Sequence, residues 1–219
     1  MIKKIIKISI YFIFIFLVIS NINSKEIHGL KIGNPDAKII VKVFSSLTCP
    51  HCADFHKKIF YKLDKEFIQT NVVRFEHNGF PLDLAALNAE KVLKCLDDPK
   101  KKLSFLSEIY EKQNSWTSGQ DINSINSKLS KIAKNYDLND DKINNCLISE
   151  KLENEVLENR INASKKYSIQ STPTIFINEE KYDGGHNYEE FKKAILGTGF
   201  EVVKVTSVDK FIEDPGEAV

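Results

Sequence analysis

Two cysteines separated by a proline and a histidine, Cys49-Pro50-His51-Cys52, are the residues of this chain best suited to chemistry. Two intervening residues let the sulfurs meet across the first turn of a helix, so the pair can pass between dithiol and disulfide. Pro50 suits the first helical position, where its missing N–H costs nothing. At a helix start, unpaired N–H groups and the positive end of the dipole stabilise an anion. A thiolate at Cys49 gains from that field. Its pKa should fall, and at the exposed tip it is the expected nucleophile. A protonated His51 would add charge or a hydrogen bond. Cys52 lies one turn inward, beside Phe55 and Ile59, and is the expected resolving thiol. A stabilised thiolate favours the reduced form, which makes the disulfide an oxidant toward other thiols. Each pKa unit is worth about 1.4 kcal/mol, or about 30 mV in a two-electron couple.

The same cysteines could form a zinc half-site or an inert bridge. Zinc would want a second close Cys or Cys/His pair. The remaining cysteines, Cys95 and Cys146, stand far apart in sequence. No metal and no cofactor beyond the disulfide is expected. Asp83 and the other carboxylates form no convincing acid/base pair. His28, His56, His77 and His186 are scattered and read as surface or packing residues, and Trp116 as core or groove.

Positioning such a pair needs a strand behind it and a helix in front. Residues 38–46 are rich in β-branched side chains and predict a buried strand. Residues 49–66 predict a helix, with Cys52, Phe55, Ile59 and Leu63 on one face. Residues 71–77 predict the next strand. Apolar stripes at helical spacing follow: Ala85 to Leu96, Leu103 to Tyr110, and Ile122 to Tyr136. A fourth helix is predicted after Asn139, a cap followed by Asp140 and Asp141 in the first turn. Strand signals return at 174–177, with a turn from Asn178 and a short edge strand at Lys181–Tyr182. A last helix is predicted from Tyr188 to Leu196.

The 219 residues are 42% hydrophobic and 28% charged, which excludes a disordered chain and a multi-span membrane protein. Thirty-one basic residues balance 30 acidic ones, so the net charge is +1 and no nucleic-acid partner is expected. Residues 1–24 run from Lys3, Lys4 and Lys7 through an uncharged apolar stretch at 8–19 to polar residues. That order predicts a secretory signal peptide, or an uncleaved N-terminal anchor. Its apolar core is short for a span, which takes about 20 residues. Either way the rest of the chain is expected outside the cytoplasm, in the periplasm, where disulfides are allowed.

Taken together, SLTCPHCADFH at 46–56 and STPTIFIN at 171–178 resemble the DsbA-like branch of the thioredoxin superfamily. The resemblance spans roughly residues 30–199. It implies an α/β fold, a thioredoxin fold with an inserted helical domain. Its first half would lie at 25–84, the insertion at 85–165, the second half at 166–199, and a tail at 200–219. It implies a cis peptide at Thr172–Pro173, in a loop that faces the cysteines and binds substrate peptide through its main chain. The implied enzyme is a protein thiol:disulfide oxidoreductase with catalytic Cys49 and Cys52, tuned by Pro50 and His51. Its expected partners are reduced secreted or envelope proteins and a membrane quinone-linked DsbB-type reoxidant.

Two departures from the family pattern stand out. Many relatives have a buried acid six positions before the first cysteine. That position is Val43 here, and alternation should turn the adjacent Lys42 to the other face. Thr172 replaces the valine of the best-known oxidases and also occurs in the isomerase branch. The alternative readings are therefore a disulfide isomerase or reductase, or a non-catalytic holdase. No dimerisation domain fits between the signal and the fold, so a monomeric oxidase is favoured. Cys95 and Cys146 sit on apolar edges of predicted helices. Some relatives carry a comparable second bridge, which implies a structural disulfide here; two buried free thiols remain the other reading.

Overall fold

β-Branched residues alternate along the strand that carries the redox motif. Ile39, Val41 and Val43 are buried on one face, and Phe44 turns to the other. A computed structural model of the chain describes residues 27–198. The expected signal or anchor at 1–24 and the tail at 200–219 lie outside them.

The strands are β1 (Leu30–Ile32), β2 (Ile39–Ser45), β3 (Val73–Gly79), β4 (Thr174–Ile177) and β5 (Glu180–Lys181). They form one mixed sheet in the order β1-β3-β2-β4-β5. β2 and β3 are parallel, with Val43 opposite His77 and Ser45 opposite Gly79. β4 runs antiparallel to β2, with Val43 opposite Ile175.

After β2 the chain enters α1 (Pro50–Phe55). The same helical path continues through a π segment (His56–Phe60), α2 (Tyr61–Leu63) and a second π segment (Asp64–Ile68). The sequence signals a helix here but not these widened turns. Phe55, Ile59, Leu63 and Phe67 join the strand side chains and Phe191 in the core beneath the sheet.

Between β3 and β4 lie α3 (Leu84–Cys95), α4 (Pro99–Glu111), α5 (Gln113–Trp116), α6 (Ile122–Ala133), α7 (Asp140–Ile148) and α8 (Glu150–Tyr167). They form the helical insertion of a thioredoxin-like α/β fold, the fold class expected from the sequence. α9 (Tyr188–Leu196) returns to the sheet core. The insertion has its own core, including Phe105, Leu106, Ile109, Trp116 and Leu129, and that core reaches Cys49 and Cys52.

Side chains cap the longer helices. Asp83, Asp98, Asp121, Asn139, Ser149 and Asn187 each accept a backbone N–H at the starts of α3, α4, α6, α7, α8 and α9. Each such cap is worth about 1 kcal/mol. α1 differs: its N-cap is Cys49, and no side chain bonds its first turn.

Candidate active site

The uncapped start of α1 is what the redox pair occupies. Pro50 stands in the first turn and Cys52 one position beyond His51. Both cysteines are free thiols. Cys52 is 1% exposed and Cys49 only 8%. The sequence placed Cys49 at an exposed tip. The fold instead covers it, because the loop before β4 approaches it. The Cys49 thiol donates to the carbonyl oxygen of Thr172 across 3.3 Å. The Thr172–Pro173 peptide is cis.

The two sulfurs are electrostatically unlike. The Cys49 pKa falls from 9.0 to about 5. A hydrogen bond from the Cys52 thiol is the largest cause, and burial opposes it. The Thr172 hydroxyl and the N–H groups of Cys52 and His51 add to the lowering. Thr172 Oγ1 is buried with no partner while Cys49 is a thiol. A charged sulfur would accept from it, and the hydroxyl accordingly lowers the Cys49 pKa. His51 is exposed and acts on Cys49 through its backbone N–H, where the sequence suggested its ring. Cys52 moves the other way. Burial pushes its thiol far above the ordinary range, and the Cys49 charge adds to this.

The insertion holds the motif from its other side. The Gln113 amide donates to the carbonyl oxygens of Leu47 (2.9 Å) and Cys49 (3.0 Å), fixing two groups that the loop leaves buried. Asp83, besides capping α3, accepts from Thr48 Oγ1 at 2.7 Å. Sequence reasoning missed Gln113, since a lone glutamine past an apolar stripe carries no signal.

It also missed a buried polar chain under the pair. Tyr110 OH donates to Ser45 Oγ (3.1 Å), Ser45 Oγ meets His77 Nδ1 (3.1 Å), and His77 Nε2 meets Glu90 Oε1 (2.9 Å). These four residues are between 2% and 4% exposed. Val43 does stand at the position where an acid was looked for, beside His77 on β3. Lys42 turns away from it, to Tyr167 and Glu179 on the other side of the sheet. His56, read as a surface or packing residue, is buried, stacked on Phe60 and bonded to Ser107 at 3.0 Å. Burial holds its pKa down to about 3, so it is neutral.

Cys95 and Cys146 are joined, with Cα atoms 6.3 Å apart, tying the end of α3 to α7. This bridge lies inside the insertion.

A sequence model described as thioredoxin matches residues 25–196. The disulfide bond formation protein D of Bacillus subtilis is 29% identical over 177 residues, covering 75% of this chain and 74% of that protein. A Rickettsia bellii protein, provisionally named a protein-disulfide oxidoreductase, is 28% identical over 69% of this chain and 57% of its own. The chain thus spans little more than half the length of such rickettsial relatives. Among solved structures, alpha-DsbA1 of Wolbachia pipientis superposes with a TM-score of 0.71 at 26% identity, covering 78% of this chain and 90% of that one.

Proposed function

Because the chain belongs to the thioredoxin family, as a DsbA-like protein-disulfide oxidoreductase, we propose that it works in the oxidising direction and gives its Cys49–Cys52 disulfide to secreted proteins. A substrate thiolate attacks Cys49 Sγ, the Cys49–Cys52 bond breaks, and Cys52 leaves with the electron pair. A second substrate thiolate then attacks the substrate sulfur of the mixed disulfide. The substrate departs oxidised, and Cys49 departs as a thiolate.

One arrangement carries this direction: the Cys52 thiol, the Thr172 hydroxyl and the N–H groups of the first turn of α1 converge on Cys49 and hold its pKa down to about 5. A low pKa makes Cys49 a good leaving group and stabilises the reduced protein, so electrons flow toward it. Thr172 and Pro173 would receive an extended substrate along their main chain, which suits many sequences equally. Pro50 and His51 begin the helix whose uncapped first turn tunes Cys49, His51 through its backbone N–H.

The basic-then-apolar order of residues 1–24 supports export to the periplasm. A membrane quinone-linked partner of the DsbB type would regenerate the disulfide, and the chain would act as a monomer. Thr172 before the cis proline favours a second reading, an isomerase. A refolding assay separates the two. An oxidase forms disulfides quickly in a reduced substrate and does not repair scrambled ones. The C49S variant should lose the activity; a holdase would keep its own.

A further inference from the structure

The disulfide reaction leaves a proton to be accounted for. When the Cys49–Cys52 bond breaks, Cys52 departs as a thiolate in a site 1% exposed. Burial makes that charge costly, so the sulfur must take up a proton where bulk water does not reach.

We propose that Tyr110, Ser45, His77 and Glu90 form a proton line that serves Cys52 and opens into a cavity beside β1, at the edge of the sheet. The line rests on the oxidoreductase reading above. Its inner end, the Tyr110 phenol, is buried in the same cluster as Cys49 and Cys52. Charge on either sulfur acts on that phenol, which burial holds well above its ordinary range, as a neutral O–H. Its outer end, Glu90, lines a cavity of about 310 Å³ that also touches His77. The Glu90 carboxyl lies over bare backbone at Gly79, where a Cβ would stand 2.5 Å from Glu90 Cδ.

The hydrogen bonds fit one direction of travel. Tyr110 donates to Ser45, which leaves the Ser45 proton for His77 Nδ1 and the Nε2 proton for the Glu90 carboxylate. That is the arrangement left after one proton has passed inward. In that passage the Glu90 carboxyl gives its proton to Nε2, Nδ1 gives one to Ser45, Ser45 gives one to Tyr110, and Tyr110 gives one to Cys52. The balance is a thiolate and a carboxylic acid becoming a thiol and a carboxylate. Water in the cavity reprotonates Glu90. Reoxidation runs the same path outward.

Other charges bear on this chain. His28 before β1, Lys31 within it, Lys94 on α3 and Lys102 on α4 line the cavity with Glu90. His56, on the active-site helix, interacts with His77 and stays neutral. Ser45, His77 and Glu90 act through Tyr110 and are positioning residues.

The test is single-turnover reduction of the oxidised protein by a dithiol peptide, followed across pH in light and heavy water. E90Q keeps an acceptor for His77 but cannot carry the proton. The rate should fall by a factor of about ten or more. Its solvent isotope effect should vanish, and its pH profile should become that of the peptide thiol alone. The Cys49 thiolate titration should not move. E90D, which keeps a titratable carboxyl, should restore part of the rate. Y110F breaks the line at its other end with little change in packing, and carries the test should E90Q fail to fold. E90Q or Y110F with the rate, pH profile and isotope effect of the unaltered protein overturns the proton line alone. An unaltered protein that fails to oxidise the peptide overturns the underlying redox reading, and the line with it.

Discussion

The Cys49 thiol is hydrogen-bonded to the main chain of Thr172, 123 residues further along the sequence, at 3.3 Å. The contact brings the loop before β4 onto the start of α1. It also leaves the Thr172 hydroxyl beside the same sulfur, buried and without a partner until that sulfur ionises.

Substituting T172V therefore acts twice in one direction. It removes a donor to the Cys49 thiolate, and it relieves a buried hydroxyl that is unsatisfied while Cys49 is neutral. The Cys49 pKa should rise from about 5, and the reduction potential should become more negative. A hydrogen bond to a charged group is worth about 1.5–3 kcal/mol, so the shift should be roughly 30–60 mV. Thiolate absorbance titration and redox equilibration with glutathione measure the two effects.

The same pKa makes the stability of the reduced protein depend on pH. Cys49 ionises near 5 when folded and near 9 when unfolded. The unfolded chain holds the extra proton between those values, so stability rises with pH through that window and is lost as pH falls toward 5. Above about 8.5 the unfolded chain also ionises Cys52, which the fold holds neutral, and the gain stops. The oxidised protein has neither titration. The difference in melting temperature between reduced and oxidised forms should therefore shift in favour of the reduced form from pH 5 to 8. A constant difference over that range would contradict the assigned ionisation.

The Cys95–Cys146 bridge closes a sequence separation of 51 within the insertion. The chain-entropy model gives it about 4 kcal/mol. A C95A/C146A variant should lose stability of that order in urea unfolding, at an unchanged Cys49 titration. A moved titration would mean that the bridge reaches the redox pair.

Residues whose role is local were legible in the sequence. The helix start at Pro50, the Asn139 cap and the strand at 174–177 follow from turn chemistry and β-branched runs, and the structure places them there. β1 was missed: three residues give too short a pattern to read. The strand expected at 71–77 begins at Val73 and reaches Gly79, because pairing with β2 sets its ends. Non-local contacts left no signal. His77 and Glu90 look like scattered polar residues until β3 and α3 bring them to 2.9 Å. Gln113 means nothing until the insertion folds over the motif. The covering of Cys49 likewise depends on a loop far along the chain. An exposed position was a reasonable reading of a helix tip considered alone.

The direction of electron flow is the central claim, and equilibrium with glutathione measures it most directly. The ratio of oxidised to reduced Cys49–Cys52 across a graded buffer gives the reduction potential. A thiolate held near pKa 5 predicts a strongly oxidising pair, less negative than about −200 mV. A value near the thioredoxin figure of about −270 mV would contradict the account.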